Sequence, residues 1–222
     1  MTNSMSEEAL MALPIPPSPW LVRGSAVVII GRLNRARARQ LVAGPRGLLA
    51  APGLGSVCVL GLIQYDETPV GPYSELALIP GLFWRQLPGM LVSHMLVDSA
   101  RSRMGGRALW GLPKELARFT WGTQRVSVAT PEETPLVTLS WTTRPRQTSL
   151  FIPPAPVTTL LGPRHMIFEM HGRADGAQRA RVTLDIPAAS PYAPLSTLTH
   201  GPYLAWHLAH FRVRISHAYD LL

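Results

Sequence analysis

Twenty-two prolines and eighteen glycines in 222 residues constrain this chain more than any other feature of its sequence. A proline inside a helix costs about 3 kcal/mol relative to alanine, and inside a central strand it removes a ladder hydrogen bond. Between these breakers lie short runs of β-formers: "GSAVVIIGR", "GSVCVLGLIQYD", "SELALIP", "MLVSHMLVD", "RFTWGTQRVSVATP", "PLVTLSWTT", "HMIFEMHGR", "RARVTLDIP" and "FRVRISHAY". Alternation within such bounded runs predicts a mainly β protein of the α+β class with mostly antiparallel strands. Helices are expected to be few and short, at "NRARARQLVAG", "GLFWRQLPG" and "YLAWHLAHF". Regular βαβ alternation and repeats of 20 to 50 residues are both missing, which excludes doubly wound and solenoid architectures. The proline-rich "SLFIPPAPVTTLLGP" reads as a crossover between the strands of the two halves. Residues 1–19, with Pro14, Pro16, Pro17 and Pro19, read as a flexible arm, and residues 20–222 as one domain.

Charged residues are 15% of the chain against a usual figure of about 25%, and apolar residues are 46%, so a compact fold is expected. The formal charge is +8, and its densest stretch is "RLNRARARQ", with Arg32, Arg35, Arg37 and Arg39. That stretch has no interleaved aromatics and no surrounding nucleic-acid signature, so a solvated helix face or a subunit contact is favoured over a nucleic-acid partner. Such a charge also concentrates small carboxylates near the surface. The single cysteine, Cys58, excludes an internal disulfide framework and sits in an apolar run that predicts an inert, buried thiol. No stretch approaches the roughly 18 apolar residues of a membrane span, and Glu7 and Glu8 stand where a secretory signal carries basic residues. A soluble, cytoplasmic protein without a membrane partner is expected.

Every permanent cation but one is arginine; the exception is Lys114, in "WGLPKELARF". An uncharged primary amine attacks a ketone to give an imine, and arginine, protonated up to about pH 12, cannot. An ordinary lysine at pKa near 10.4 carries a penalty of roughly 4 to 5 kcal/mol for a nucleophilic step at neutral pH. Desolvation removes most of that penalty by lowering the pKa, so the chemistry requires burial among Trp110, Leu112, Pro113 and Phe119. An acid/base partner is offered by "VGPYSELALIPG", where strand alternation puts Glu75 on an apolar face with Ala77 and Ile79.

"GPYSELALIPG" followed by "VDSARSRMGGRALWGLPKELARF" resembles the acetoacetate decarboxylase-like superfamily, in which a Tyr-x-Glu strand precedes a Gly-Arg-x-x-x-Gly-x-Pro-Lys segment. The ends "PPSPWLVRG" and "LAHFRVRISHAYDLL" are similar too, so the likeness runs from about residue 16 to the C-terminus. The resemblance implies bent antiparallel sheets forming a barrel-like fold, a Schiff-base lysine at Lys114, an active-site glutamate at Glu75 and assembly as a homo-oligomer. It implies a carbon-carbon lyase acting on a small oxo-acid, by decarboxylation or by aldol or dehydration steps. No cofactor is called for, because the lysine adduct is itself the electron sink. Tyr73 and Trp110 are expected to line the pocket, with Arg107 as the nearby arginine for a carboxylate.

Three positions depart from the family pattern. Glu115 stands where a second lysine follows the reactive one, Leu60 stands where a second pocket glutamate is expected, and only Arg23 and Arg32 flank the usual arginine position. Glu115 is compatible with catalysis if it points away from the amine, toward Arg107 or Arg118. Asp98 is expected to pair with an arginine of "VDSARSRMGGR" and shape a turn. His207 and His210 share a face if "YLAWHLAHF" is helical, but two histidines do not make a zinc site, and no metal is expected. The departures leave room for a non-catalytic small-ligand-binding protein on the same fold.

Overall fold

The computed structural model describes residues 13–42, 48–49, 56–84, 88–161 and 164–220. In chain order the elements begin with β1 (Trp20–Leu33), α1 (Arg35–Gln40), β2 (Leu48–Leu49), β3 (Ser56–Glu67) and β4 (Tyr73–Ile79). They continue with β5 (Leu82–Trp84), β6 (Pro88–Val92), β7 (His94–Val97), α2 (Ala100–Trp110), β8 (Lys114–Leu116), β9 (Arg118–Gly122) and β10 (Arg125–Ala129). The last are β11 (Pro135–Leu161), β12 (Arg164–Asp185), a 3-10 helix (Ala193–Thr197), β13 (Leu204–Ile215) and β14 (Tyr219–Asp220).

All fourteen strands join one sheet whose main path runs β2-β5-β6-β11-β12-β13-β1-β3-β4-β7-β8, with β9, β10 and β14 attached to its sides. The mainly β expectation holds, but the barrel does not close. The path ends in β2 and β8, and these two edges do not pair with each other among the described residues. Most pairings are antiparallel; β6 with β11 and β7 with β8 are parallel.

The expected crossover at "SLFIPPAPVTTLLGP" is, up to Leu161, the second half of β11, a strand of 27 residues paired with the 22 residues of β12; residues 162–163 lie outside the described residues. Register shifts between Thr143 and Gln147 and between Ile152 and Ala155 coincide with Pro145 and with Pro153 and Pro154. A proline cannot donate to the ladder, so the strand bulges and bends there without ending. "YLAWHLAHF" is likewise strand, in β13. Ala205 belongs to one core face, while Leu208 and Phe211 belong to the other, and the register shift opposite Gly24 and Ala26 lets the last two point the same way. Two buried faces and one bulge imitate a helical period of three. "GLFWRQLPG" forms the antiparallel β5–β6 pair around residues 85–87, which lie outside the described residues.

The sheet buries parts of both faces. Val27, Ile29, Leu60, Leu62, Leu76 and Leu78 pack on one side, and Trp20, Val22, Tyr65, Tyr73, Trp110 and Phe211 on the other. Residues 1–12 of the expected arm lie outside the described residues. Beyond them the chain is fastened: the Trp20 indole donates to the Pro16 carbonyl at 3.0 Å, and Ser18 Oγ meets His217 Nδ1 at 2.8 Å.

Cys58 is fully buried, and burial alone pushes its thiol from 9.0 up to about 12. Native protein is therefore expected to leave a thiol-specific disulfide reagent unreacted at pH 8 and to consume one equivalent in denaturant; rapid labelling of the native chain would contradict this packing.

Candidate functional site

The site is built where the β7–α2–β8 crossover meets β4. Helix α2 begins at Ser99, whose side chain accepts from the Ser102 backbone N–H at 3.2 Å, and ends at Gly111, which takes the left-handed conformation at φ 60°. Immediately after it, Lys114 opens β8, paired in parallel with Met95. The lysine side chain runs back beneath the helix. A Cβ placed on Gly106 would lie 2.7 Å from both Cδ and Cε of Lys114, so that residue must be glycine for the amine to pass. Two mid-helix glycines, each costing about 1 kcal/mol against alanine, also explain why the sequence does not advertise α2.

The amine ends in a polar knot inside the core. Lys114 Nζ lies 2.7 Å from Glu75 Oε2, 2.8 Å from Ser102 Oγ and 3.4 Å from Tyr73 OH. Tyr65 donates its hydroxyl to the other Glu75 oxygen at 3.1 Å, and the Tyr65 and Tyr73 rings pack with centroids 4.6 Å apart. Side-chain exposure is 3% for Lys114 and 2% for Glu75. Behind them the strand carrying Glu75 is fixed by Asp98, whose carboxylate accepts the Ser74 backbone N–H at 2.7 Å, and by the Trp121 indole donating to Ser74 Oγ at 3.1 Å. Asp98 thus anchors β4 to the start of α2 through a backbone hydrogen bond, where an arginine pair was expected.

Burial disfavours the ammonium, yet the facing Glu75 carboxylate and the Tyr73 oxygen outweigh it and hold Lys114 above its ordinary value of 10.5. The shift runs opposite to the one the sequence reasoning required. Burial is as deep as expected, but it encloses a counter-charge together with the amine. Burial also pushes Tyr73 up to about 12, and it raises Tyr65 well above the usual phenol, with Glu75 adding to both shifts.

Glu115 points away from the amine, as the alternation of an extended segment demands. Its carboxylate pairs with Arg107 and lies 3.7 Å from Arg103, at 57% side-chain exposure. Arg107 also donates through Nε to the Lys114 carbonyl at 2.9 Å, so it grips the lysine's backbone and its neighbour, on the outside of β8. Trp110 is buried in the core that holds Tyr73, stacks edge-on against Trp20 at 4.9 Å, and donates its indole N–H to the Ser216 carbonyl at 2.8 Å. Of the five residues singled out, Lys114, Glu75 and Tyr73 converge, Arg107 meets the lysine's main chain, and Trp110 braces the helix end. Ser102 and Tyr65 complete the knot and were not foreseen. Ser102 carries no sequence signal, whereas Tyr65 stands directly opposite Tyr73 once β3 and β4 are paired.

Leu60 is packed into the opposite core. On the site face of β3 the positions facing β4 are Gly61, Ile63 and Tyr65, opposite Ala77, Glu75 and Tyr73. A Cβ on Gly61 would meet Ile63 Cδ1 at 3.6 Å, an ordinary packing contact. An open groove of about 560 Å³ between α1 and the 3-10 helix, lined by Arg37, Gln40, Ile186 and Pro194 among others, includes none of these residues.

The site is therefore an amine and a carboxylate sealed against each other within an open β-sheet. Residues 5–218 match the family described as Acetoacetate decarboxylase (ADC), and the chain belongs to that family. It is 33% identical over 104 residues to Protein NEOXANTHIN-DEFICIENT 1 of Oryza sativa subsp. japonica, covering 46% of this chain and 34% of the relative. It is 28% identical over 125 residues to the acetoacetate decarboxylase of Acidiphilium cryptum, covering 53% and 49% respectively. The matches thus span between a third and a half of these curated relatives. The enduracididine biosynthesis enzyme MppR, in a structure complexed with pyruvate, superposes with a TM-score of 0.64 at 17% identity over 98% of this chain and 95% of that one.

Removing one partner of a buried ion pair leaves an uncompensated charge, at a typical loss of 3 to 5 kcal/mol, while removing both is far milder. Lys114→Met and Glu75→Gln are each expected to lower unfolding stability by about that much, and the double variant to recover most of it, as read from urea denaturation. Lys114 has a raised folded-state pKa, so its contribution is complete below 10.5 and is lost as pH rises through the folded value; Tyr73 acts in the same direction between 10.0 and about 12. Wild type should therefore lose more stability than the double variant above pH 10.5. Parallel alkaline profiles would contradict the pairing.

Proposed function

We propose that this chain is a Schiff-base-forming lyase acting on a small oxo-acid, with Lys114 as nucleophile and Glu75 as general acid and base. The observation that carries the proposal is the isolation of one amine and one carboxylate, 2.7 Å apart, at 3% and 2% side-chain exposure. A lysine kept only for charge has no need of such burial, which costs several kcal/mol of desolvation per ion. Family membership supports the chemical class, and the pyruvate complex of a structural neighbour supports the oxo-acid.

At rest the proton is on Nζ. Transfer to Glu75 Oε2 along the existing hydrogen bond turns an ion pair into a neutral amine and acid, a change that a dry site favours more than water does. The nitrogen lone pair then bonds to the carbonyl carbon, the carbonyl π electrons move to its oxygen, and Glu75 returns the proton there to give a carbinolamine. A second proton transfer releases water and leaves the iminium. In a β-oxo-acid, the electrons of the bond to the carboxylate flow into the iminium as carbon dioxide departs, and the enamine is protonated on carbon and hydrolysed. In an aldol reaction, Glu75 removes the proton next to the iminium and the enamine attacks an aldehyde. Ser102 and Tyr73 hold Nζ during the exchange, and Tyr65 fixes the Glu75 carboxylate. Arg107 contributes by positioning, through the Lys114 carbonyl, and Trp110 walls the core behind Tyr73.

The raised pKa of Lys114 favours a second reading, a small-ligand-binding protein that keeps the pair as structure. Borohydride reduction in the presence of pyruvate or acetoacetate distinguishes the two. Imine chemistry predicts a reduced adduct confined to the peptide bearing Lys114, with a yield that rises with pH, because the free amine is the reactive form and its pKa is raised. Glu75→Gln should slow trapping by about 10² to 10⁴. Gly106→Ala, which displaces the lysine stem, should abolish it in a chain that still folds. Absence of any adduct on Lys114 between pH 6 and 10, across a panel of oxo-acids, would leave the binding protein as the function.

A further inference from the structure

The outward side of the same sheet carries an arginine grid that plays no part in the chemistry above. Directly opposed residues on neighbouring strands share a face. Across β3, β1, β13, β12 and β11 one such row reads Glu67, Arg23, Arg212, Arg173 and Phe151. The next row reads Leu21, Arg214 and His171. Their sequence neighbours Trp20, Val22, Phe211 and Ala174 are core, so both rows point away from it. Side-chain exposure is 53% for Arg23 and 61% for Arg173, and Arg212 and Arg214 are exposed as well. Leu21 and Phe151, on the same face, are 68% and 75% exposed.

Like charges placed directly opposite destabilise a sheet, so a row of three adjacent arginines calls for an explanation. Glu67 pairs with Arg23 at 3.1 Å and Asp175 with Arg173 at 3.4 Å. Arg212, set between two other guanidiniums, and Arg214 have no ion-pair partner among the described residues. We propose that this face docks on an anionic lipid bilayer, with the arginines at the headgroups and Leu21 and Phe151 entering the interfacial layer. A second copy of the chain is a poor occupant, because a two-fold contact sets the grid against itself. A nucleic acid would use a track of stacking aromatics beside the charges, and this face offers one aromatic and an exposed leucine. A bilayer uses both features, attracting basic groups within a Debye length and accepting apolar side chains at its interface. The contact is peripheral: among the described residues no helix is long and apolar enough to cross a membrane. The sequence expectation of no membrane partner rested on spanning length, which does not address such a face.

Co-sedimentation of the full chain with phosphatidylcholine vesicles, and with vesicles in which phosphatidylserine replaces part of that lipid, tests the proposal. Binding is expected only to the anionic vesicles, and it should disappear at about 0.5 M sodium chloride, where the Debye length falls to a few ångströms. The double variant Arg212→Gln and Arg214→Gln should weaken partitioning about tenfold or more. Leu21→Ser with Phe151→Ser should weaken it while the far-ultraviolet circular dichroism is preserved. Arg118→Gln with Arg125→Gln, on β9 and β10, should leave it unchanged. Equal partitioning to neutral and anionic vesicles, indifference to loss of Arg212 and Arg214, or capture of single-stranded oligonucleotide without vesicle binding would each overturn the proposal.

Discussion

The rest of the structure is arranged around one contact: an ammonium and a carboxylate meeting at 2.7 Å where water is excluded. Two buried charges are tolerated only when each is met by the other and their remaining hydrogen-bonding capacity is filled. That condition accounts for the company they keep. Tyr65 takes up one carboxylate oxygen, Ser102 and Tyr73 take up the remaining ammonium protons, and Gly106 yields the volume through which the lysine stem passes. The parallel β7–α2–β8 unit in an otherwise mostly antiparallel sheet has the same origin. It brings Ser102 of the helix onto the amine of Lys114, the first residue of the following strand, and that amine onto the Glu75 carboxylate of β4.

Adjacent residues divide the electrostatic labour. Lys114 faces in and Glu115 faces out, and Arg107 secures both by holding the carbonyl of one and the carboxylate of the other. Were Glu115 to turn inward, a second carboxylate would raise the amine's pKa further and compete with Glu75. The outward pairing with Arg107 and Arg103 keeps the inner stoichiometry at one amine to one acid.

Much of this was legible in the sequence, for identifiable reasons. Glu75 stood out as a carboxylate on an apolar strand face, and Lys114 as an amine in a chain of arginines; both observations survive folding because they depend on alternation and on chemistry. Helix α2 was illegible because Gly105 and Gly106 are there for Trp20 and Lys114 to pack against, a tertiary reason that overrides local propensity. β13 was misread because a bulge converts period two into an apparent period of three. Leu60, the position matched to a second pocket glutamate, packs in the core on the other side of β3, and a one-residue offset in a strand is enough to exchange its faces. The sense of the lysine's pKa shift was also out of reach. Burial lowers it and a neighbouring anion raises it, and only coordinates reveal that the two arrive together.

The long β11–β12 ribbon has a mechanical consequence. Its ladder begins at Thr138 with Asp185 and runs to Leu161 with Arg164, passing from the strands that flank β10 to those that flank β6 and β14. At the proline bulges the ladder is interrupted, yet the same two strands resume their pairing beyond each corner. The two ends of the sheet are thus tied by a single pair of strands, and the bends, where pairing is interrupted, are where that tie opens most readily.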